Sequence, residues 1–273
     1  MSDWRTASAP AKLNLALVVG PMRADGKHEV ATVLERLTLT DGVSVRLSEE
    51  TRVTGFADDT LVQAALEQMT ARADGSIRFE ARIDKRIPIA AGLGGGSSDA
   101  AAALRLSNDL LDEPLAQDDL EAIAASLGAD VPFFLRTGPQ LGTGDGTTLA
   151  DLALPRDYTV LLAVPNGASK SSTADVYAAF EARRGETGFA ERRAHLFEAL
   201  DGVRASKDLA DLPPNDLAVS PLARELLGLG AFRADVTGAG PVAYGLFVDR
   251  DSAERARASL ERRVARTWIA EPG

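Results

Sequence analysis

The chain has 273 residues, 45% hydrophobic and 26% charged, enough for one large or two modest domains with proper cores. A formal net charge of −10 and an aromatic content of 5% argue against a phosphate-backbone footprint or base-stacking platforms, so no nucleic-acid partner is expected. An anionic small ligand stays open, because a local patch can differ in sign from the whole. Cysteine is absent and the two histidines, His28 and His195, lie far apart, which excludes disulfides and thiolate chemistry and leaves no zinc pattern. The N-terminus lacks the apolar core of a signal peptide, and no apolar run approaches the roughly 20 residues of a membrane span. A soluble, cytoplasmic protein is expected.

In chain order, AKLNLALVVG alternates apolar residues with Lys12, Asn14 and Ala16, the period of a strand. VSVRLS (43–48) and SIRFEARID (76–84) read the same way. TLVQAALEQMTAR (60–72) has helical spacing, with Leu61, Ala65, Leu66 and Met69 on one side. SSDAAAALRLSNDLL predicts a helix from Ser97, with Ser98 and Asp99 in its first turn. DLEAIAASLGADVPFFL predicts a helix closed by Gly128 and then a strand after Asp130. Pro155, within TLADLALPRDY, marks a joint, and the expected domains are 1–154 and 155–273. YTVLLAVP follows as a buried strand and SSTADVYAAFEARR as a helix with serine or threonine caps. Residues 184–213 are polar, charged and helical, with Pro213 and Pro214 as a stop. FRADVTG and PVAYGLFV flank a GAG turn as a hairpin, and DSAERARASLERR supplies a closing amphipathic helix. Hairpins mixed with crossovers make the fold class α+β.

The stretch PIAAGLGGGSSDA, from Pro88 onward, needs a reason, because glycine is costly to order. A linker would have polar, unstructured flanks. This stretch instead joins a strand to an alanine-rich helix. A strand, glycine loop and helix aim unsatisfied N–H groups and the helix dipole at whatever the loop holds, which suits phosphate. Ser97 and Ser98 add hydroxyls as donors or metal ligands. A tight structural turn is the competing reading. The lettering is neither G-x-x-x-x-G-K-[ST] nor G-x-G-x-x-G, whose sixth position here is Ser97.

The P-x-x-x-G-L-G-G-G-S-S arrangement of Pro88–Ser98 resembles the ATP-binding loop of the galactokinase–homoserine kinase–mevalonate kinase (GHMP) superfamily. APAKLNLALVVGPMRADGKHE (9–29), LGADVPFFL (127–135), PNDL (214–217) and TGAGPVAYGLF (237–247) are similar, in order and spacing, to segments of one family within it. That family phosphorylates the 2-hydroxyl of a CDP-linked methylerythritol in the non-mevalonate isoprenoid pathway. The resemblance implies a half related to ribosomal protein S5 domain 2, followed by a ferredoxin-like half. It implies ATP held by Pro88, Ile89, Ala90, Ala91, Gly92, Leu93, Gly94, Gly95, Gly96, Ser97 and Ser98, with Thr60 at the adenine and Gly238 and Gly240 beside the phosphates. Mg2+ would ride on those phosphates, with Ser98 as its candidate ligand. Asn14, Lys27 and His28 would hold the small-molecule substrate.

Phosphoryl transfer to an alcohol needs positioning, charge neutralisation and a proton acceptor. The resemblance gives Asp130 the carboxylate role and Lys12 the cationic one. Taken alone, a lysine such as Lys12 on a strand is usually a solvated edge, and an aspartate such as Asp130 after Gly128 is often a turn former. His28 suits a base edge, since a neutral imidazole donates with one nitrogen and accepts with the other. Three positions depart from the family pattern. Lys27 stands where an aromatic residue stacks on cytosine, leaving Tyr177 or Phe180 as the platform. Thr60 stands where asparagine is usual, and Ala239 where serine or threonine is common. Two rival readings remain: a GHMP kinase for a homoserine- or mevalonate-like alcohol, and a non-catalytic nucleotide sensor, which would need neither Lys12 nor Asp130.

Overall fold

The computed structural model describes residues 3–56, 60–73, 75–167, 172–260 and 263–273. The chain gathers into two compact units, one of Met1–Ala11, Leu39–Ile89 and Gly94–Thr137, the other of Lys12–Thr38, Ala90–Leu93 and Gly138–Gly273. Two long strands, β1 (Arg5–Met22) and β2 (His28–Ser48), contribute to both.

The first unit adds β3 (Arg52–Thr54), α1 (Thr60–Arg72), β4 (Arg78–Asp84), α2 (Gly95–Asn108), α3 (Gln117–Leu127) and α4 (Val131–Leu135). The end of β2 runs antiparallel to β4, from Gly42 opposite Asp84 to Ser48 opposite Arg78, and β3 pairs with β4 in parallel. Val43 and Val45 on one strand, and Phe79, Ala81 and Ile83 on the other, are buried at the alternation that a one-sided sheet requires. Ala100, Ala101, Ala102, Ala103 and Leu104 are all fully enclosed, so α2 is a helix buried all round. Alanine allows the close approach of α1 and α4 that this needs.

Three sequence expectations are corrected here. In α1 the buried face is Val62, Ala65, Leu66 and Met69, with Leu61 only half-buried. Helix α2 starts at Gly95 rather than Ser97, because Gly94 adopts a left-handed φ of 67° that turns the chain directly into the helix. The segment after Asp130 is the short helix α4 and not a strand. Pro132 sits in its first turn, where a fixed φ and a missing N–H favour helix, while Val131, Phe133 and Phe134 bury on several sides at once.

The second unit contains β5 (Gln140–Gly144), β6 (Thr148–Asp151), β7 (Thr159–Pro165), α5 (Thr173–Ala182), α6 (Phe189–Gly202), a 3-10 turn at Ser206–Asp211, α7 (Pro221–Gly228), β8 (Arg233–Val236), β9 (Ala243–Phe247), α8 (Arg250–Leu260) and β10 (Val264–Ala270). The start of β2 pairs with β5 from Val30 to Leu34, and β5 forms a hairpin with β6. A separate antiparallel sheet has the order β10-β7-β9-β8, the 4-1-3-2 arrangement of a ferredoxin-like βαββαβ unit. Leu222 and Leu226 of α7, and Ala253, Ala256 and Leu260 of α8, close its core against Leu161, Ala163 and Phe247. Helix α5 opens on a capping box in which Ser172 and Asp175 exchange side-chain and backbone hydrogen bonds. Among the described residues no helix is long and apolar enough to cross a membrane.

Candidate active site

Lys12 is 4% exposed, so the solvated-edge reading of this lysine fails. Strand alternation puts Lys12 and Asn14 on one face of β1, and Lys12 Nζ donates to Asn14 Oδ1 at 2.5 Å. Asn14 Nδ2 donates to Thr32 Oγ1 (2.8 Å), whose hydroxyl donates to Ala16 O (2.8 Å), so the amide cannot turn away. Two glycine segments of the second unit converge here. Lys12 N donates to Leu93 O at 2.9 Å. A Cβ on Gly92 would lie 2.2 Å from Thr237 O, and one on Gly238 would lie 3.2 Å from Gly92 O and 3.5 Å from Lys12 Nζ. Thr237 accepts from Asn14 N at 3.1 Å and has its Oγ1 3.3 Å from Gly92 O. The result is a buried ammonium among glycines without side chains, which is the chemistry of an anion seat. Gly240 ends the same turn.

Of the remaining loop residues, Pro88, Ile89 and Gly94–Ser98 belong to the first unit. Pro88 is half-buried and Ile89 exposed, while Gly94–Ser98 form the cap and first turn of α2. Ala90, of the second unit, is exposed and has a φ of 53°, rare for a residue with a Cβ. Ser97 is half-buried, and Ser98 is fully enclosed with no hydrogen-bond partner for its Oγ among the described residues. Under the loop lies a network that the sequence reading missed. Lys85 Nζ donates to Asp41 Oδ2 (2.6 Å) and Asp99 Oδ2 (2.7 Å), both carboxylates being wholly buried. Asp41 Oδ1 also accepts from the N–H groups of Arg86 (2.5 Å) and Ile87 (2.8 Å), which fixes the entry to the loop. Burial disfavours the charged ammonium, but the two carboxylates outweigh it and hold the Lys85 pKa above that of an ordinary lysine. A Cβ on Gly95 would sit 3.1 Å from Lys85 Nζ. Thr60 is the exposed first residue of α1, and Asp130 is half-buried at the N-cap of α4.

A second cluster in the second unit surrounds His28, 8% exposed. Its Nδ1 lies 2.7 Å from Gly20 O, a group that only accepts, so Nδ1 is the donor of this bond. Nε2 lies 2.9 Å from Glu181 Oε1. Tyr177 stacks on the imidazole at 5.1 Å and 26°, and Phe180 meets it edge-on at 5.7 Å. Tyr177 and Glu181 are one turn apart on α5, a spacing that could have revealed Glu181 as a partner. Lys27 Nζ pairs with Asp145 Oδ2 at 2.5 Å. Asp145 also accepts from Thr147 Oγ1 (2.6 Å) and Thr147 N (3.2 Å). Partial burial raises the Asp145 pKa, but these donors outweigh it and bring the carboxyl down to about 2. His195 lies exposed on α6 and takes no part.

Two family models place the chain among the GHMP kinases, a class of small-molecule phosphotransferases. Residues 60–138 match the family described as GHMP kinases N terminal domain, and 188–266 match GHMP kinases C terminal. A 4-diphosphocytidyl-2-C-methyl-D-erythritol kinase from Anaeromyxobacter sp. (strain Fw109-5) is 38% identical, over 94% of this chain and 86% of its own. The corresponding kinase of Pelobacter propionicus is 35% identical over 93% and 94%. A solved 4-(cytidine 5'-diphospho)-2C-methyl-D-erythritol kinase superposes with a TM-score of 0.79 at 29% identity, covering 98% of this chain and all (100%) of that one. A homoserine kinase from Cytophaga hutchinsonii, 16% identical with a TM-score of 0.75 over 100% of this chain and 96% of its own, shares the fold. The chain belongs to the 4-diphosphocytidyl-2-C-methyl-D-erythritol kinase family of GHMP kinases. As a kinase of this family it takes ATP as phosphate donor.

Proposed function

We propose that the protein transfers the γ-phosphoryl group of ATP to the 2-hydroxyl of 4-diphosphocytidyl-2-C-methyl-D-erythritol, a cytoplasmic step in non-mevalonate isoprenoid precursor synthesis. The observation that carries this reading is the buried Lys12 ammonium against Gly92 and Gly238, with Asn14 holding it in place. In the reaction the acceptor oxygen bonds to Pγ, the bond from Pγ to the β-bridging oxygen breaks, ADP leaves, and the hydroxyl proton passes to Asp130. Lys12 stabilises charge on the acceptor oxygen and the transferring group. Pro88–Ser98, Gly238 and Gly240 form the phosphate seat, and Thr60 contacts the adenine. Mg2+ would supply charge neutralisation on the phosphates, and Ser98, whose buried hydroxyl has no partner among the described residues, would hold it.

Asn14 and His28 orient the acceptor, and Tyr177, already stacked beside His28, is the platform for cytosine. In the family sense, 1–154 is the ATP-binding segment and 155–273 the C-terminal one. Purified protein incubated with MgATP and the CDP-linked alcohol should yield ADP and the 2-phosphate, followed by phosphorus NMR. Asp130→Asn should lose about 10²–10⁴-fold in kcat, the usual contribution of a general base. Full activity in that variant, or no turnover by the wild type, would remove the assignment.

The Lys27–Asp145 pair, where an aromatic residue is usual, favours a second reading: another small alcohol as acceptor. Competition between CDP-linked and unlinked alcohols separates the two.

A further inference from the structure

We infer that Asn215, in the PNDL segment, is a positioning residue: it fixes the peptide between Gly238 and Ala239 so that the Ala239 N–H is offered to the nucleotide phosphates. The inference rests on the reading that the TGAGP turn lies beside ATP. Asn215 is 5% exposed, and both hydrogens of its amide are used on carbonyls. Nδ2 donates to Val236 O at 2.8 Å and to Gly238 O at 2.7 Å, while Oδ1 accepts from Leu217 N at 2.8 Å. Carbonyls only accept and N–H groups only donate, so this amide has one allowed orientation. Its backbone N–H is tied in turn to Asp235 Oδ2 at 2.8 Å.

In a planar trans peptide the C=O and the following N–H point in opposite directions. Holding Val236 O therefore sends the Thr237 N–H the other way, where it donates to Val242 O at 3.1 Å and closes the hairpin. Holding Gly238 O likewise turns the Ala239 N–H away from Asn215. Among the described residues that N–H donates to no protein group. Gly238 has a φ of 57° and packs beside Lys12, so a donor without a partner sits next to a buried ammonium. Glycine at 238 leaves this peptide free to rotate unless something outside the turn holds it. Asn215 is that clamp.

The test compares Asn215→Ala with a protein in which Ala239 is replaced by lactic acid, an ester that removes the N–H and keeps the shape. ATP binding is measured by calorimetry, and KM for ATP and for the CDP-linked acceptor by steady-state kinetics. Both variants should weaken ATP about tenfold, as expected for one hydrogen bond to a charged group, with the acceptor KM within about twofold. The inference is overturned if the ester variant binds ATP like the wild type, or if Asn215→Ala weakens the acceptor as much as ATP. Should Asn215→Ala fail to fold, the ester variant decides alone. Wild-type protein that binds ATP but phosphorylates no CDP-linked acceptor ends the functional reading and leaves the binding comparison intact. Wild-type protein that binds no ATP ends both.

Discussion

Replacing Gly92 by alanine sets two glycine segments against each other. The new Cβ would lie 2.2 Å from Thr237 O, against a carbonyl that cannot swing aside as a flexible side chain would. Restoring ordinary carbon–oxygen contact separates loop and turn by roughly 1 Å. The residue also has a φ of 80°, so alanine adds about 1–2 kcal/mol of backbone strain. Gly138→Ala isolates that second effect, since Gly138 has a φ of 72° and nothing within 4 Å of a Cβ. Both variants should lose a few degrees of thermal stability at about 2–4 °C per kcal/mol. Only Gly92→Ala moves Lys12, Thr237 and Gly238 relative to one another, and a displacement near 1 Å in a catalytic site costs on the order of 100-fold in rate. The assay is kcat/KM for ATP with acceptor saturating, beside thermal unfolding of each variant. If Gly92→Ala stays within about threefold of Gly138→Ala, the convergence of the two segments on Lys12 has no catalytic weight and the reasoning fails.

Lys85→Met strips the shared cation from Asp41 and Asp99, both fully buried, and should destabilise by about 3–5 kcal/mol, read in chemical denaturation. A loss under about 1 kcal/mol would mean that the carboxylates do not depend on Lys85. Asp145 is depressed to about 2, so its stabilisation is complete above the ordinary carboxylate range near 4 and fades as pH falls toward 2. Because Lys27 is half-exposed, solvent screening reduces the contribution to about 1 kcal/mol. Asp145→Asn should remove that pH-dependent part between pH 4 and 2, and an unchanged acid-unfolding curve contradicts the pairing.

The elements read well from sequence are those whose pattern is local. Strand β4, helix α1 and the β8–β9 hairpin carry their alternation, helical spacing and turn residues within a dozen positions. The expected strand at 43–48 is only the end of β2, which begins at His28, because Val30–Leu37 is buried almost throughout and has no period of two. Glu35 and Arg36 interrupt that run, and the burial of Glu35 is made possible by Arg156, far along the chain. The segment expected as a strand after Asp130 is helical because Pro132 in the first turn favours helix over the β-propensity of Val131, Phe133 and Phe134. Lys12, Asn14 and His28 were legible as candidates from the motif lettering. The pairings with Thr32, Thr237 and Glu181 were not, because each joins residues far apart in the chain, and only the one-turn spacing of Tyr177 and Glu181 on α5 hints at any of them.

The make-up of the second unit bears on how the chain is made. Lys12–Thr38 is made before the rest of its unit, which is otherwise residues 90–93 and 138–273. The carbonyl of Leu15 waits for Arg233 and Tyr244, 218 and 229 residues downstream, and Asn14 N waits for Thr237, 223 downstream. Contacts of such sequence separation close slowly, so this part of β1 completes its bonding late in folding. Without β8 and β9, the β1 groups at Asn14 and Leu15 therefore lack these partners.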